Sequence, residues 1–475
     1  MFQAQLVVLL ATFLFLATTY EISEQDILPF EKRRNPVLGP KVTNGTKPLF
    51  GYSHKGTDAI FALACNYPAL YYRRFVGSLR KVGYEDDIVL AVSPVNKQKP
   101  GVEAYLQETH VIAYPFEVDC KGKDNCRFKD DFLGYPDPRP YRTFANIRYA
   151  LYEYWLLNYH PKSMILILDF RDTYFQLPVF QTYPTWGERD PNFYDLQLYA
   201  ENRKVKWLGK CVYNSMWVSR CFRDFDKDAL KRIAQEAVIC SGSTLGTFNG
   251  IDYYVMTMLK WFDKIQCWKK GIESDQGYQN YLFYNKHFDT ANGKANLNYQ
   301  GIGVVNTIGA MNGFRVPKDQ KGRLDTFWKI KDSEGYILNN DGTRSACVHQ
   351  WDRFYAEIQH WLDITFMKIP GAKNESKSIE LRERNRLKKI ELKKKAAEME
   401  KQLKTSNEGG FGGGADTSNA ATTAASVPSN EGGFVQSVST VIDNKMTGSK
   451  ASSGKVKPLK PRPLKSKASK MIDMV

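Results

Sequence analysis

Met164-Ile165-Leu166-Ile167-Leu168-Asp169-Phe170-Arg171-Asp172 is the stretch on which the reading of this chain turns. An unbroken apolar run meets two carboxylates. A short apolar run bounded by polar residues reads as a strand buried on both faces, the kind found inside an α/β sheet. Ligands of open α/β sheets bind beyond the carboxyl ends of such strands. Asp169 and Asp172 would stand at that rim, close enough to share one divalent cation through hard oxygen ligands, and the cation would hold a diphosphate. A competing reading has Asp169 capping the next turn and Asp172 pairing with a neighbouring arginine, which is common loop chemistry.

Upstream, Arg142 to Tyr159 reads as an amphipathic helix: Phe144, Ile147, Leu151, Tyr154, Trp155 and Asn158 recur at spacings of three and four, and His160-Pro161 ends it. Arg148 and Tyr152, one turn apart, either aim over the rim or are a surface arginine and a core-edge tyrosine. Ile60 to Cys65 is the first buried strand and Asn66-Tyr67-Pro68 turns the chain. Ala69 to Val82 has helical spacing with Arg and Lys on its outer face, and Asp87 to Val92 is the next strand. Strand, helix, strand of this length implies a parallel sheet. Val111 to Tyr114 is a third strand, and Asp119 to Tyr141 a long surface loop.

Downstream, Asp226 to Ala237 reads as a helix. Val238-Ile239-Cys240 is a strand running into Ser241-Gly242-Ser243-Thr244-Leu245-Gly246-Thr247. Those small residues let a backbone approach a ligand, or simply form a tight turn. Ile251 to Lys264 is helical. Asp275 to Tyr284 begins another helix, with Asp275 and Gln276 in its first turn, where a carboxylate also serves as a plain cap. Phe354 to Phe366 is a final amphipathic stretch.

The chain has 475 residues, 43% hydrophobic and 13% aromatic, enough for a large core. Its net charge is +16, but from Lys373 onward 21 Lys and Arg face 11 Asp and Glu, so +10 of it belongs to the tail. Basicity is therefore no sign of a nucleic-acid-binding fold, and no nucleic-acid motif occurs. The expected organisation is a signal peptide or signal anchor over 1–20, a stem over 21–55, one catalytic domain over 56–370, a charged helix over 371–405 and a disordered low-complexity basic tail over 406–475. Either N-terminal reading places the chain in the lumen of the secretory pathway, Golgi or ER, as a secreted form or a membrane-associated one. Asn44-Gly45-Thr46 and Asn374-Glu375-Ser376 are glycosylation sequons usable there. Of the eight cysteines, Cys120 with Cys126 and Cys211 with Cys221 are the expected local disulfides, and Cys65 and Cys240 are expected to be free. No Cys-x-x-Cys spacing exists, which argues against a structural zinc.

Four motifs in order carry a resemblance: Arg148-Tyr149-Ala150-Leu151-Tyr152-Glu153-Tyr154-Trp155-Leu156; Asp169-Phe170-Arg171-Asp172 with Phe175-Gln176; Cys240-Ser241-Gly242-Ser243-Thr244; and Asp275-Gln276-Gly277 with Asn280-Tyr281-Leu282, ahead of Val348-His349-Gln350-Trp351-Asp352-Arg353. On these, roughly Ile60 to Trp361 resembles GT-A-type glycosyltransferases of the nucleotide-diphospho-sugar transferase superfamily. The resemblance implies an α/β fold, with a Rossmann-like mixed, mainly parallel sheet flanked by helices. It also implies a nucleotide-diphosphate sugar as donor and a hydroxyl acceptor on a glycan or glycoprotein. A divalent metal, manganese or alternatively magnesium, would be held by Asp169, Asp172 and the late ligand His349; carboxylates plus one imidazole suit manganese. Asn66 and Tyr67 would lie near the base and ribose, and Arg148, Tyr152, Arg171, Ser241 and Gly242 around the donor. Asp275 and Gln276 would approach the donor sugar from the acceptor side, Asp275 as general base in an inverting enzyme or Gln276 lining the far face in a retaining one. The usual motif is Asp-x-Asp; here two residues separate the carboxylates. A haloacid-dehalogenase-type phosphatase would need a spacing one residue shorter. The remaining alternative is a non-catalytic lumenal protein that binds nucleotide-sugars or glycans with the same fold.

Overall fold

β1 (Ala59–Leu63), α1 (Ala69–Lys81) and β2 (Asp87–Val92) form the expected strand-helix-strand unit, with the two strands parallel. The structure is a computed structural model describing residues 47–121, 125–129, 141–267, 275–311 and 330–369, all within the first of the chain's two units, Met1–Leu381. The signal or anchor, most of the stem, both sequons, the charged helix and the basic tail lie outside the described residues. Among those described, no helix is long and apolar enough to cross a membrane.

α2 (Val102–Glu108) leads to β3 (Ile112–Pro115), and β4 (Val118–Cys120) pairs with β5 (Cys126–Phe128) as a hairpin closed by the Cys120–Cys126 disulfide. α3 (Phe144–Leu156) precedes β6 (Met164–Asp169), the short β7 (Thr173–Phe175) and β8 (Leu196–Ala200). Next come α4 (Val212–Phe222), α5 (Ala229–Ile233), β9 (Ile239–Thr247), α6 (Phe248–Lys264), α7 (Asp275–Tyr284) and β10 (Ala295–Asn298). β11 (Val305–Thr307), β12 (Cys347–His349) and α8 (Tyr355–His360) follow, and α8 runs on as a π-helical turn, Trp361–Phe366. The main sheet has the order β10-β8-β9-β6-β1-β2-β3. Its pairs are parallel except where β9 runs antiparallel to β6 and β8. A second sheet has the order β11-β12-β7.

Alternation along the strands builds a core on each face of the main sheet. Phe61, Val89, Ile165 and Ile167 pack against α3 and α6, while Ile60, Ala62, Leu90, Leu166 and Leu168 pack against α1. Each apolar residue of β6 is at most 2% exposed, which stabilises the strand by roughly 1.5–3 kcal/mol per large side chain. That burial fixes where β6 ends, and so where Asp169 stands.

Five expectations need correction. The segment expected as a long surface loop from Asp119 holds the β4–β5 hairpin, with Cys126 and Phe128 buried. The second disulfide is Cys221–Cys267, and Cys211 is buried and free. Cys211 and Cys221 sit at opposite ends of α4, about 15 Å apart at 1.5 Å per residue, beyond the reach of a bridge. The small residues after Cys240 are not a turn: they continue β9, which is buried over its whole length between β6 and β8. The lack of side chains is what allows this fit, since a Cβ at Gly246 would lie 2.5 Å from the carbonyl oxygen of Asp195. The outer face of α1 is not uniformly solvated either. Arg74 is 1% exposed and forks onto Asp363 through bonds of 2.8 and 2.7 Å. Finally, the helix expected over Asp226–Ala237 is reduced to α5.

Candidate active site

The carboxyl end of β6 is where the two sheets meet. Thr173 Oγ1 donates to the Asp169 carbonyl at 2.6 Å, closing a tight turn that sets Asp172 immediately before β7. β7 runs antiparallel to β12 with Thr173 opposite His349. The register alone therefore puts His349 beside Asp172, although 177 positions of sequence separate them. The extra residue relative to Asp-x-Asp is taken up by this turn, in which Phe170 goes into the core and Arg171 pairs with Asp352 at 3.1 Å.

Each carboxylate gives one oxygen to an arginine and turns the other toward His349. Asp169 Oδ1 accepts from Arg148 at 2.6 Å, and its Oδ2 lies 3.9 Å from His349 Nε2. Asp172 Oδ2 accepts from Arg353 at 2.7 Å, and its Oδ1 lies 3.6 Å from the same nitrogen. The three ligand atoms lie within 4.8 Å of one another. His349 is fully buried and its Nε2 has no hydrogen-bond partner, a costly arrangement unless something binds there. Its Nδ1 faces Cys240 Sγ at 3.9 Å, and Gln350 Nε2 reaches the same sulfur at 3.3 Å. Gly242 on β9 borders the space; a Cβ there would meet Asp169 Oδ2 and lie 2.6 Å from His349 Cε1.

Around this point four carboxylates, Asp169, Asp172, Asp275 and Asp352, face three guanidinium groups, Arg148, Arg171 and Arg353, and the imidazole of His349. Burial pushes the Asp172 carboxyl up, but the neighbouring His349, Arg353 and Arg171 outweigh it and hold it well below the usual carboxylate range. Burial likewise opposes charge on His349, yet Cys240 and Asp172 together raise its pKa well above the ordinary value. The donor set of two carboxylate oxygens and one imidazole nitrogen and the buried, partnerless Nε2 fit a divalent cation.

The other residues singled out from the sequence are distributed around this centre. Arg148 is buried and also grips Asp275 at 2.5 Å, and Ser241 Oγ donates to Asp275 at 3.0 Å. Gln276, at the start of α7, donates to Asn214 Oδ1 at 2.9 Å and accepts weakly from the Ser241 amide at 3.4 Å. Tyr152 is fully buried beneath Arg148. Tyr67 is half-buried against Phe170 and Tyr71, within electrostatic reach of Arg171, Asp172 and Asp169. Asn66 stands exposed at a φ of 64°, three residues beyond Leu63, the register partner of Asp169. Asn214 was not singled out from the sequence, and Arg353, Asp352 and Cys240 stood in the motifs without a site role. The signal for Arg353 is a cation four residues past His349. Gln176 proves architectural: its amide bonds to the carbonyls of Ile337 and Ser345 at 2.9 and 2.8 Å.

No family model matches the chain, and no curated protein matches it. Among solved structures it is similar to the galactosyltransferase LgtC in complex with donor and acceptor sugar analogs. That match has a TM-score of 0.34 and 14% identity, and covers 67% of this chain and 99% of the other. It is also similar to an active-site mutant of LgtC, with a TM-score of 0.31 and 13% identity, over 61% of this chain and 86% of that one.

Proposed function

We propose that this chain is a metal-dependent glycosyltransferase of the secretory pathway, moving a sugar from a nucleotide-diphosphate donor to a hydroxyl acceptor. The observation that carries the proposal is the convergence of Asp169 Oδ2, Asp172 Oδ1 and the partnerless His349 Nε2 at the carboxyl end of a central strand. Bound there, manganese or magnesium would supply Lewis acidity to the leaving diphosphate. Arg148 and Arg353 fix the orientation of the two carboxylates, and Arg171 adds positive charge on the side of Tyr67, where the nucleotide would lie.

The surroundings of Asp275 favour one stereochemical course. Its Oδ1 accepts from Ser241 Oγ and from the Gln276 amide at 2.7 Å; its Oδ2 accepts from Arg148 and from Tyr149 at 3.4 Å. A general base must turn a lone pair toward the acceptor hydroxyl, and these four donors already occupy both oxygens. We therefore give Asp275 the task of positioning Arg148, and Gln276 the face of the donor sugar, as a retaining enzyme requires.

The test is nucleoside-diphosphate release by the full chain over a panel of sugar nucleotides, with manganese or with chelator, beside Asp172→Ala and His349→Ala. Release from one donor, abolished by chelator and cut by about 100-fold or more in both variants, is the expected result. No release, together with no metal-dependent thermal shift from any nucleotide, would overturn the proposal and leave the non-catalytic binding protein.

A further inference from the structure

We infer that Cys240 is a positioning residue of the metal centre: its sulfur accepts a hydrogen bond from Nδ1–H of His349 and so leaves the Nε2 lone pair facing Asp169 and Asp172. The inference rests on the metal-dependent reading of the site and deepens it by assigning what holds the third ligand.

A neutral imidazole carries one N–H and one lone pair, and only the nitrogen with the lone pair can ligate a metal. Nε2 is the nitrogen that lies 3.6 Å from Asp172 Oδ1 and 3.9 Å from Asp169 Oδ2, so a ligating ring carries its proton on Nδ1. His349 is fully buried, and a buried N–H left without an acceptor is costly. The polar atom that Nδ1 meets is Cys240 Sγ, at 3.9 Å. Metal-bound histidines usually make this second bond to a carboxylate, a carbonyl or a water. Here a thiol of β9 takes that place, itself buried. Cys240 is not among the three residues whose ligand atoms converge, so its sulfur acts through the ring rather than on the cation.

Gln350 sets the sulfur in its accepting role. An amide nitrogen donates and does not accept, and Gln350 Nε2 reaches Sγ at 3.3 Å. Its Oε1 is turned toward Gly309, where a Cβ would meet it. Successive residues of a strand point to opposite faces, yet the side chains of His349 and Gln350 arrive at one sulfur. What permits this is the φ of 61° at Gln350, a left-handed conformation that a residue with a side chain keeps only where its surroundings hold it. The backbone of His349 is paired on both sides, with Thr173 of β7 and Thr307 of β11. The rotation of the ring is the freedom that remains, and the contact with Cys240 settles it.

The full chain and its Cys240→Ala and Cys240→Ser variants are titrated with manganese alone, read by the EPR signal of the free ion, with thermal melting in chelator as the control for folding. Cys240→Ala should bind manganese about 10–100-fold more weakly, the loss that follows removal of a group orienting a ligand. Cys240→Ser should recover most of that loss, because a hydroxyl also accepts. A purely packing role would leave alanine and serine alike. Wild type carrying 15N-histidine and loaded with zinc gives a reading that needs no variant: the His349 ring should show its proton on Nδ1. A proton on Nε2, or equal impairment of Cys240→Ala and Cys240→Ser, overturns the inference. Manganese bound equally by wild type and Cys240→Ala sinks this inference alone, whereas no manganese bound by wild type sinks the metal-dependent reading and this inference with it.

Discussion

Replacing Arg353 by glutamine removes the 2.7 Å ion pair to Asp172 Oδ2 while keeping most of the side chain's volume. The two partners are only 17% and 7% exposed at their side chains, so Asp172 cannot recover the lost interaction from water. Breaking a buried pair by removing one partner costs about 3–5 kcal/mol. Asp172 keeps His349 and Arg171 within reach, which puts the expected loss of stability at the low end, about 3 kcal/mol. A second effect falls on the metal. Arg353 is what turns Asp172 Oδ1 toward His349, and removing a group that orients a ligand lowers metal affinity about 10–100-fold, or about 1.4–2.7 kcal/mol. The two effects are measured separately, by thermal melting in chelator and by titrating the free-manganese EPR signal. Asp172→Asn and the double variant complete a cycle whose coupling energy should be about 1–3 kcal/mol. Manganese affinity unchanged in Arg353→Gln, or single effects that simply add, would refute the idea that the arginine aims the ligand.

Gly242→Ala should abolish the manganese-dependent thermal shift, because its Cβ would intrude on Asp169 Oδ2 and His349; a normal shift would mean the space is not the metal's. Arg74→Met leaves Asp363 buried without its forked partner, at an expected cost of about 3–5 kcal/mol in urea unfolding. Arg74→Met/Asp363→Leu should recover most of that loss, and no recovery would show that the pair is worth more than its burial. His54 is buried between Tyr159 and Tyr114, 2.7 Å from each hydroxyl, and burial lowers its pKa from 6.5 to about 4. The unfolded chain binds that proton more readily, so the contribution is fully present above pH 6.5 and lost as pH falls toward 4, up to about 3 kcal/mol. His54→Gln should flatten this acid-side slope in melting experiments; an identical slope would assign it to other groups.

How far the sequence could be read varied with the physics of each element. β6 was legible because an apolar run ending in Asp has few other solutions, and α7 because its first residue and length were both marked. β9 was legible only to Cys240, because glycine and serine beyond it suit a turn as well as a close approach, while here their smallness lets a buried strand pass close to Asp169 and Asp195. Arg74 was misplaced because charge on a helix normally means solvent, and its partner lies 289 residues away. The Cys221–Cys267 bond spans 46 residues, and no local spacing could select it. His349 became a ligand candidate only through the family resemblance. What makes it one physically is the antiparallel pairing of β7 with β12, a long-range fact that no single segment expresses.

That pairing also sets an order of events during synthesis. Chains fold broadly from the N-terminus as they emerge, and every strand of the seven-stranded sheet lies before residue 299. The sheet can therefore be complete while the third ligand is still unmade. A nascent chain carries Asp169 clamped by Arg148, but Asp172 still lacks Arg353 and there is no imidazole to close the set. Competence for the cation arrives only with the last strand, which makes metal capture a report that the whole domain has been finished. Products that stop short of His349 would lack the metal's third ligand and also leave Arg74 buried without Asp363 and β7 without its partner strand.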